Sequence, residues 1–188
     1  MSKTKFKPQP LNGTKQKKQK TAKQEFWSWI LSLVIAVSIA LSLRIFVFDF
    51  VVVESISMED TLYAGEVLFL EKVSYNANLP ETGDIIVCRF DDGRKNYIKR
   101  VIGQPGDTVS VEAGTTYVNS TPLDEPYLPE AMLGNYVQST VPDDAVFIMG
   151  DNRNNSFDSR AVGTVPLEKV RGKAVFRVWP FSRFGKLD

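Results

Sequence analysis

The chain has 188 residues, a formal net charge of +1 and no histidine, which excludes any mechanism built on a histidine base and any metal site needing histidine ligands. That length suits one compact domain with an anchor or tail. The lone Cys88 forbids an internal disulfide and a multi-thiolate metal site, and in the run Ile85-Ile86-Val87-Cys88 it reads as a small core residue.

Charge is sharply partitioned along the chain. Residues 1–25 carry eight lysines against the single Glu25, which makes this tail +7 and leaves the remainder at −6. The tail is Lys, Gln, Pro and Thr with few apolar residues, a composition expected to be disordered near an anionic leaflet rather than to bind nucleic acid. Residues 26–43, FWSWILSLVIAVSIALSL, contain no charge. As a helix they would span about 27 Å, close to the roughly 30 Å of bilayer hydrocarbon. The run exceeds the core of about 7–15 residues usual in a cleavable signal, and Arg44, Phe46, Phe48 and Phe50 follow it where a cleavable signal has small residues. An uncleaved anchor is therefore expected. Trp27 and Trp29 suit the headgroup region, and the lysine tail on the inner side leaves residues after about Arg44 outside the cell.

Past the anchor, helical periodicity gives way to short β-branched and aromatic runs. Strands are expected at 45–53, 66–72, 84–90, 96–102, 108–112, 116–118, 146–149 and 173–178. Turn residues separate them at 81–84, 91–93, 104–107 and 113–114, the last closing a hairpin. Pro122, Pro126, Pro129 and Pro142 mark residues 120–145 as an irregular excursion. Trp179-Pro180-Phe181 and Phe184 then either pack on the domain edge or dip into the membrane surface.

Without histidine, a serine or threonine nucleophile needs a lysine or an N-terminal amine as its base. No G-x-S-x-G elbow is present, and the one S-x-x-K, Ser2 to Lys5, lies in the charged tail. What remains is a serine and a lysine brought together from different strands. In the strand at 96–102, alternation puts Tyr97, Lys99 and Val101 on one face and Ile98, Arg100 and Ile102 on the other, so either cation could be the one facing inward.

Four segments, in order, resemble the type I signal peptidases, serine proteases with a Ser/Lys dyad. Ser55-Ile56-Ser57-Met58-Glu59-Asp60-Thr61-Leu62 with Gly65 is similar to the nucleophile box of that family, and Gly83-Asp84-Ile85-Ile86-Val87 to its GDIVV strand. Tyr97-Ile98-Lys99-Arg100-Val101-Ile102-Gly103 with Pro105-Gly106-Asp107 resembles the lysine box, and the run from Gly150 to Arg160 the last box. The likeness covers roughly residues 26–180.

The resemblance implies a mostly β fold: an antiparallel β-sheet catalytic domain at 44–188 behind a single N-terminal transmembrane helix. It makes Ser57 the nucleophile, Lys99 the general base, and the Ser55 hydroxyl with the Ser57 N–H the oxyanion donors. Ser156 matches the serine that orients the base amine, and Asp158 and Arg160 match a supporting ion pair, with Asp151 and Arg153 in the same box. Apolar pockets around Val53, Met58, Leu62, Tyr97 and Ile98 would admit small side chains at an A-x-A-like site. Met58, Leu62, Tyr97 and Val101 are expected to desolvate Lys99 and lower its pKa.

Asp60 stands where the family usually has proline, and a carboxylate there could oppose that shift. Neither cofactor nor metal is called for. The implied partners are secreted preproteins and membrane lipid, with no nucleic acid, at the cytoplasmic membrane of a bacterium. Two rivals are a self-cleaving regulator of Ser/Lys type and a non-catalytic accessory protein that assembles secreted proteins or pilins.

Overall fold

The computed structural model describes residues 21–90, 95–128 and 130–187. The turn expected at 91–93, Pro129 and most of the basic tail lie outside the described residues. The chain divides into two compact units, Met1–Ala40 and Leu41–Asp188.

Helix α1, Ala22–Phe46, has no proline, glycine or buried residue. Two of its serines bond back along the helix, Ser28 Oγ to the Glu25 carbonyl at 2.7 Å and Ser32 Oγ to the Ser28 carbonyl at 2.8 Å, so these hydroxyls are satisfied within an apolar stretch. With a mean hydropathy of 2.2 over its most apolar window, the helix is long and apolar enough to cross a membrane. It runs further than the charge pattern suggests, through Arg44 to Phe46, past Ile45, where the first strand is expected to open. The Lys72 ammonium accounts for this, because it donates to the carbonyls of Arg44 and Ile45 at 3.1 and 3.3 Å and satisfies the last turn.

Every strand pairing in the second unit is antiparallel among the described residues. Its larger sheet runs in the order β1 (Phe48–Val52), β2 (Val67–Glu71), β11 (Val170–Trp179), β3 (Ile85–Cys88), β4 (Tyr97–Gly103), β9 (Ala145–Met149), β10 (Val165–Pro166), and β12 (Gly185–Lys186) adds to β11. A smaller sheet has the order β7 (Thr121–Pro122), β6 (Thr115–Val118), β5 (Thr108–Glu112), β8 (Tyr136–Thr140). β5 and β6 form the hairpin around Ala113-Gly114. The proline-rich stretch is more regular than its composition suggests, since β7 and β8 lie inside it and Tyr136 packs against Phe147 with ring centroids 5.2 Å apart.

β3 and β9 are buried at every position, which explains their unbroken apolar sequences: both faces of the larger sheet are covered there. β11 carries register shifts that bend the sheet, one of them at Gly172, where a Cβ would meet the Glu71 carbonyl oxygen at 2.3 Å. One core cluster gathers Val51, Val53, Met58, Leu62, Leu68, Leu70 and Ile98 among others. Another, on the opposite face of β4, holds Ile86, Cys88, Val101, Val146, Ile148 and Val165. The segments resembling the family's boxes meet around β4, between these clusters.

Candidate active site

Ser57 lies in the 3-10 turn Ile56–Met58, between β1 and β2. The first N–H groups of such a turn have no carbonyl of their own to donate to, so the Ser57 N–H is available to a ligand. Ser55 sits at the N-cap but makes no capping bond; its Oγ is instead 3.1 Å from Ser57 Oγ. Lys99 arrives from β4, and its Nζ is hydrogen-bonded to Ser57 Oγ at 2.6 Å.

Lys99 is only 2% exposed. It shares its face of β4 with Tyr97 and Val101, and the register on β3 puts Ile86 opposite it and Cys88 opposite Tyr97. Burial drives the lysine pKa below its ordinary value, while the charges of Asp158 and Asp151 push the other way and do not overcome it. Such an amine can be neutral where an exposed lysine is an ammonium ion, and a neutral amine can take the Ser57 proton. Of the residues expected to desolvate it, Tyr97 and Val101 share its face of β4, while Met58 and Leu62 belong to the core cluster that also holds Ile98. Ile86 and Cys88 join Tyr97 and Val101 from β3. Burial pushes the Cys88 thiol up to about 12, so it stays protonated beside the amine.

Arg100 resolves the alternation problem. It too is 2% exposed, because β4 is covered on both faces. Its guanidinium grips both Asp151 carboxylate oxygens at 3.0 and 2.8 Å, donates to the Gly83 carbonyl at 2.8 Å and lies 3.8 Å over the Tyr127 ring. One face of the strand therefore holds a paired, permanent cation, and the other an amine in apolar surroundings.

The segment after β9 supports both halves of the site. Asn152, to which sequence reasoning gave no role, holds the turn that carries Ser57 by donating from its N–H to the Ser57 carbonyl at 3.1 Å and from Nδ2 to the Ile56 carbonyl at 3.2 Å. Asp151 accepts the Thr61 hydroxyl at 2.6 Å in addition to Arg100. Asp158 accepts the Gly150 N–H at 3.0 Å and the Arg160 guanidinium at 2.9 and 2.8 Å. Burial alone would raise the Asp158 carboxyl, but Arg160 and these hydrogen bonds hold it below the usual range.

Arg160 donates to the Arg153 carbonyl at 2.7 Å, and Arg153 donates to the Gly150 carbonyl at 3.0 Å and pairs with Glu125. The Ser156 hydroxyl is buried beside the Asp158 carboxylate, where a Cβ on Gly150 would stand, and makes no hydrogen bond to Lys99 among the described residues.

Beside Ser55 a cavity of about 260 Å³ is lined by Val52, Glu54, Tyr97, Ile98 and neighbours. Of the expected pocket residues, Tyr97 and Ile98 line it, whereas Val53, Met58 and Leu62 belong to the core behind it. β1 is the edge of its sheet, and β9 pairs with β4 only from Arg100 onward, so both strands that contribute to this cleft have free backbone there. Among the described residues no group of acidic, cysteine or histidine side chains is placed to hold a metal.

Asp60 is exposed, and its carboxylate accepts the Tyr63 hydroxyl at 3.1 Å. The carboxylates that act most on Lys99 are those of Asp158 and Asp151. Among the described residues the Asp60 N–H donates to no backbone acceptor, so proline removes no such bond there. Asp60→Pro is expected to keep or raise the initial rate of preprotein cleavage, and a large loss would give Asp60 a role of its own.

Comparison with known proteins follows the same residues. Residues 26–179 match the family model described as signal peptidase, peptidase S26. The protein named "Probable signal peptidase I-2" of Synechocystis is 41% identical over 178 residues, covering 91% of this chain and 82% of that protein. Signal peptidase I of Bacillus licheniformis is 35% identical over 184 residues, 92% of this chain and 99% of that one. Signal peptidase I T of Bacillus subtilis is 37% identical over 179 residues, 87% and 92% of the two chains.

Proposed function

Since this chain belongs to the signal peptidase family, peptidase S26, serine endopeptidases that remove signal peptides, we propose that Ser57 is its nucleophile and Lys99 its general base. The observation that carries this is the 2.6 Å hydrogen bond between Ser57 Oγ and an amine whose pKa is lowered by burial. Ser57 attacks the scissile carbonyl as Lys99 takes its proton. The protonated Lys99 gives that proton to the leaving amine, and the neutral Lys99 then activates the water that releases the acyl-enzyme. The Ser57 N–H and the Ser55 hydroxyl receive the oxyanion. Asp151, Arg153, Asp158 and Arg160 support the strand and turn that carry the dyad, and Ser156 orients the base amine.

The substrate is a secreted preprotein lying as an extended strand against the free edges of β1 and β4. Its small residues at an A-x-A-like site fit a cleft of about 260 Å³ beside Ser55. The organisation that suits this is a basic tail at 1–25 on the cytoplasmic side, an anchor at 26–43 and a catalytic domain at 44–188 outside a bacterial cytoplasmic membrane. Trp179, Phe181 and Phe184 are each at least half exposed, which suits contact of that domain with lipid.

The test is cleavage of a preprotein in detergent by wild type, Ser57→Ala and Lys99→Ala, read as product on a gel. Cleavage by wild type and by neither variant is expected. Cleavage by Ser57→Ala would remove the nucleophile assignment, and wild type inert toward several preproteins would favour an accessory role.

A further inference from the structure

The stretch that follows Ser57 is held by two arginines more than a hundred residues further along the chain. Glu66, 3% exposed, accepts the Tyr63 N–H at 3.2 Å, Arg177 Nη1 at 3.1 and 3.2 Å and Arg183 Nη1 at 2.6 Å. A buried carboxylate needs cationic and N–H partners, yet one guanidinium would meet that need. The pair does more, since Arg177 Nη1 and Arg183 Nη2 also reach the Thr61 carbonyl at 3.3 and 3.4 Å. Arg183 lies 4.4 Å over the Tyr63 ring, and Arg177 Nε donates to the Arg183 carbonyl at 2.8 Å, tying the arginines to each other.

Thr61 is gripped from the other side as well. Its hydroxyl donates to Asp151, which holds Arg100, the residue next to Lys99 on β4. The Leu62 N–H donates to the Met58 carbonyl at 2.7 Å, closing the turn Met58–Leu62 that directly follows Ser57 and contains Thr61. Thr61 is thus the point where the nucleophile turn is tied to the strand of the base on one side, and to β11 and the turn after it on the other.

We infer that Arg183, together with Arg177, is a positioning residue for cleavage: through the Thr61 carbonyl and Glu66 it sets where Ser57 Oγ stands relative to Lys99 Nζ. This rests on the assignment of Ser57 as nucleophile. An arginine is required because one arm of its fork pairs with Glu66 while the other holds the carbonyl; a lysine keeps the charge and loses the second bond.

The experiment uses the full chain in detergent, with wild type, Arg183→Ala, Arg183→Lys and Ser57→Ala compared for kcat and KM on one preprotein and for thermal midpoint. Arg183→Ala should lower kcat by about tenfold to a hundredfold, with KM within about twofold of wild type. Arg183→Lys should melt with wild type and fall between the two in kcat. A purely structural role would lower the melting point and leave kcat of the folded enzyme unchanged, which overturns the inference. Should Arg183→Ala not fold, Arg183→Lys decides: reduced kcat supports the hold on Thr61, and wild-type kcat overturns it. Wild type inert or Ser57→Ala active overturns the nucleophile assignment and this inference together, whereas an active wild type, an inert Ser57→Ala and unaffected Arg183 variants sink this inference alone.

Discussion

Lys99→Arg is expected to lower kcat by about a hundredfold to ten-thousandfold, the range general base catalysis contributes. Charge is conserved in this substitution, and what is lost is the ability to be neutral. Guanidinium does not deprotonate in proteins, whereas burial has brought the Lys99 amine below its usual value. The sign follows directly. With Lys99 as the base, activity should be absent below its lowered pKa, where an ammonium ion cannot take the serine proton, and present above it, where the amine is free. In wild type, kcat/KM should therefore rise on an acid limb centred below the ordinary lysine pKa of about 10.4. In Lys99→Arg that limb should be missing and alkaline buffer should not restore the rate. A wild-type limb at the ordinary lysine value, or an arginine variant cleaving at more than about a tenth of the wild-type rate, would remove Lys99 from the role.

Gly150→Ala should be nearly as damaging, although residue 150 carries no chemistry. A Cβ there would lie 2.3 Å from the Ser57 carbonyl oxygen and 2.3 Å from Ser156 Oγ. The serine side chain could rotate away, but the carbonyl is backbone and is already fixed by the Asn152 N–H. Relief has to come from moving the nucleophile turn. A displacement of about 1 Å at a reacting group can cost about a hundredfold in rate, and overpacking of a filled core costs about 1–3 kcal/mol. Steady-state kinetics and a thermal melt should show both losses; activity within about twofold of wild type would mean that the turn yields freely.

The pairing of serine with lysine was legible in sequence because each partner sits in a compact box, and the missing histidines left few other bases. The choice between Lys99 and Arg100 was not legible from alternation. Alternation assumes one buried face, and β4 is buried on both. Register hid the neighbours of the amine: β3–β4 pairing sets Ile86 opposite Lys99 and Cys88 opposite Tyr97 beside it, which nothing within the run 85–88 announces. α1 overran its expected end because Lys72, far along the chain, satisfies its last carbonyls. β8 was concealed by the prolines around it, although Tyr136-Val137-Gln138-Ser139-Thr140 is itself rich in strand formers. The Glu66 clamp was out of reach for a simpler reason, that its members stand 111 and 117 residues apart.

Those separations bear on when activity first exists. Ser57 meets Lys99 across 42 residues, Asn152 Nδ2 meets the Ile56 carbonyl across 96, and Arg183 meets Glu66 across 117. Contacts of such range form slowly, because loop-closure entropy is lost before any contact compensates it. No partly folded form that lacks the strands after β8 can contain both the dyad and its supports. With Ser57 and Lys99 as the dyad, proteolytic competence is therefore expected late in folding, with the long-range pairings that bring Asn152 and Arg183 to the turn that carries Ser57.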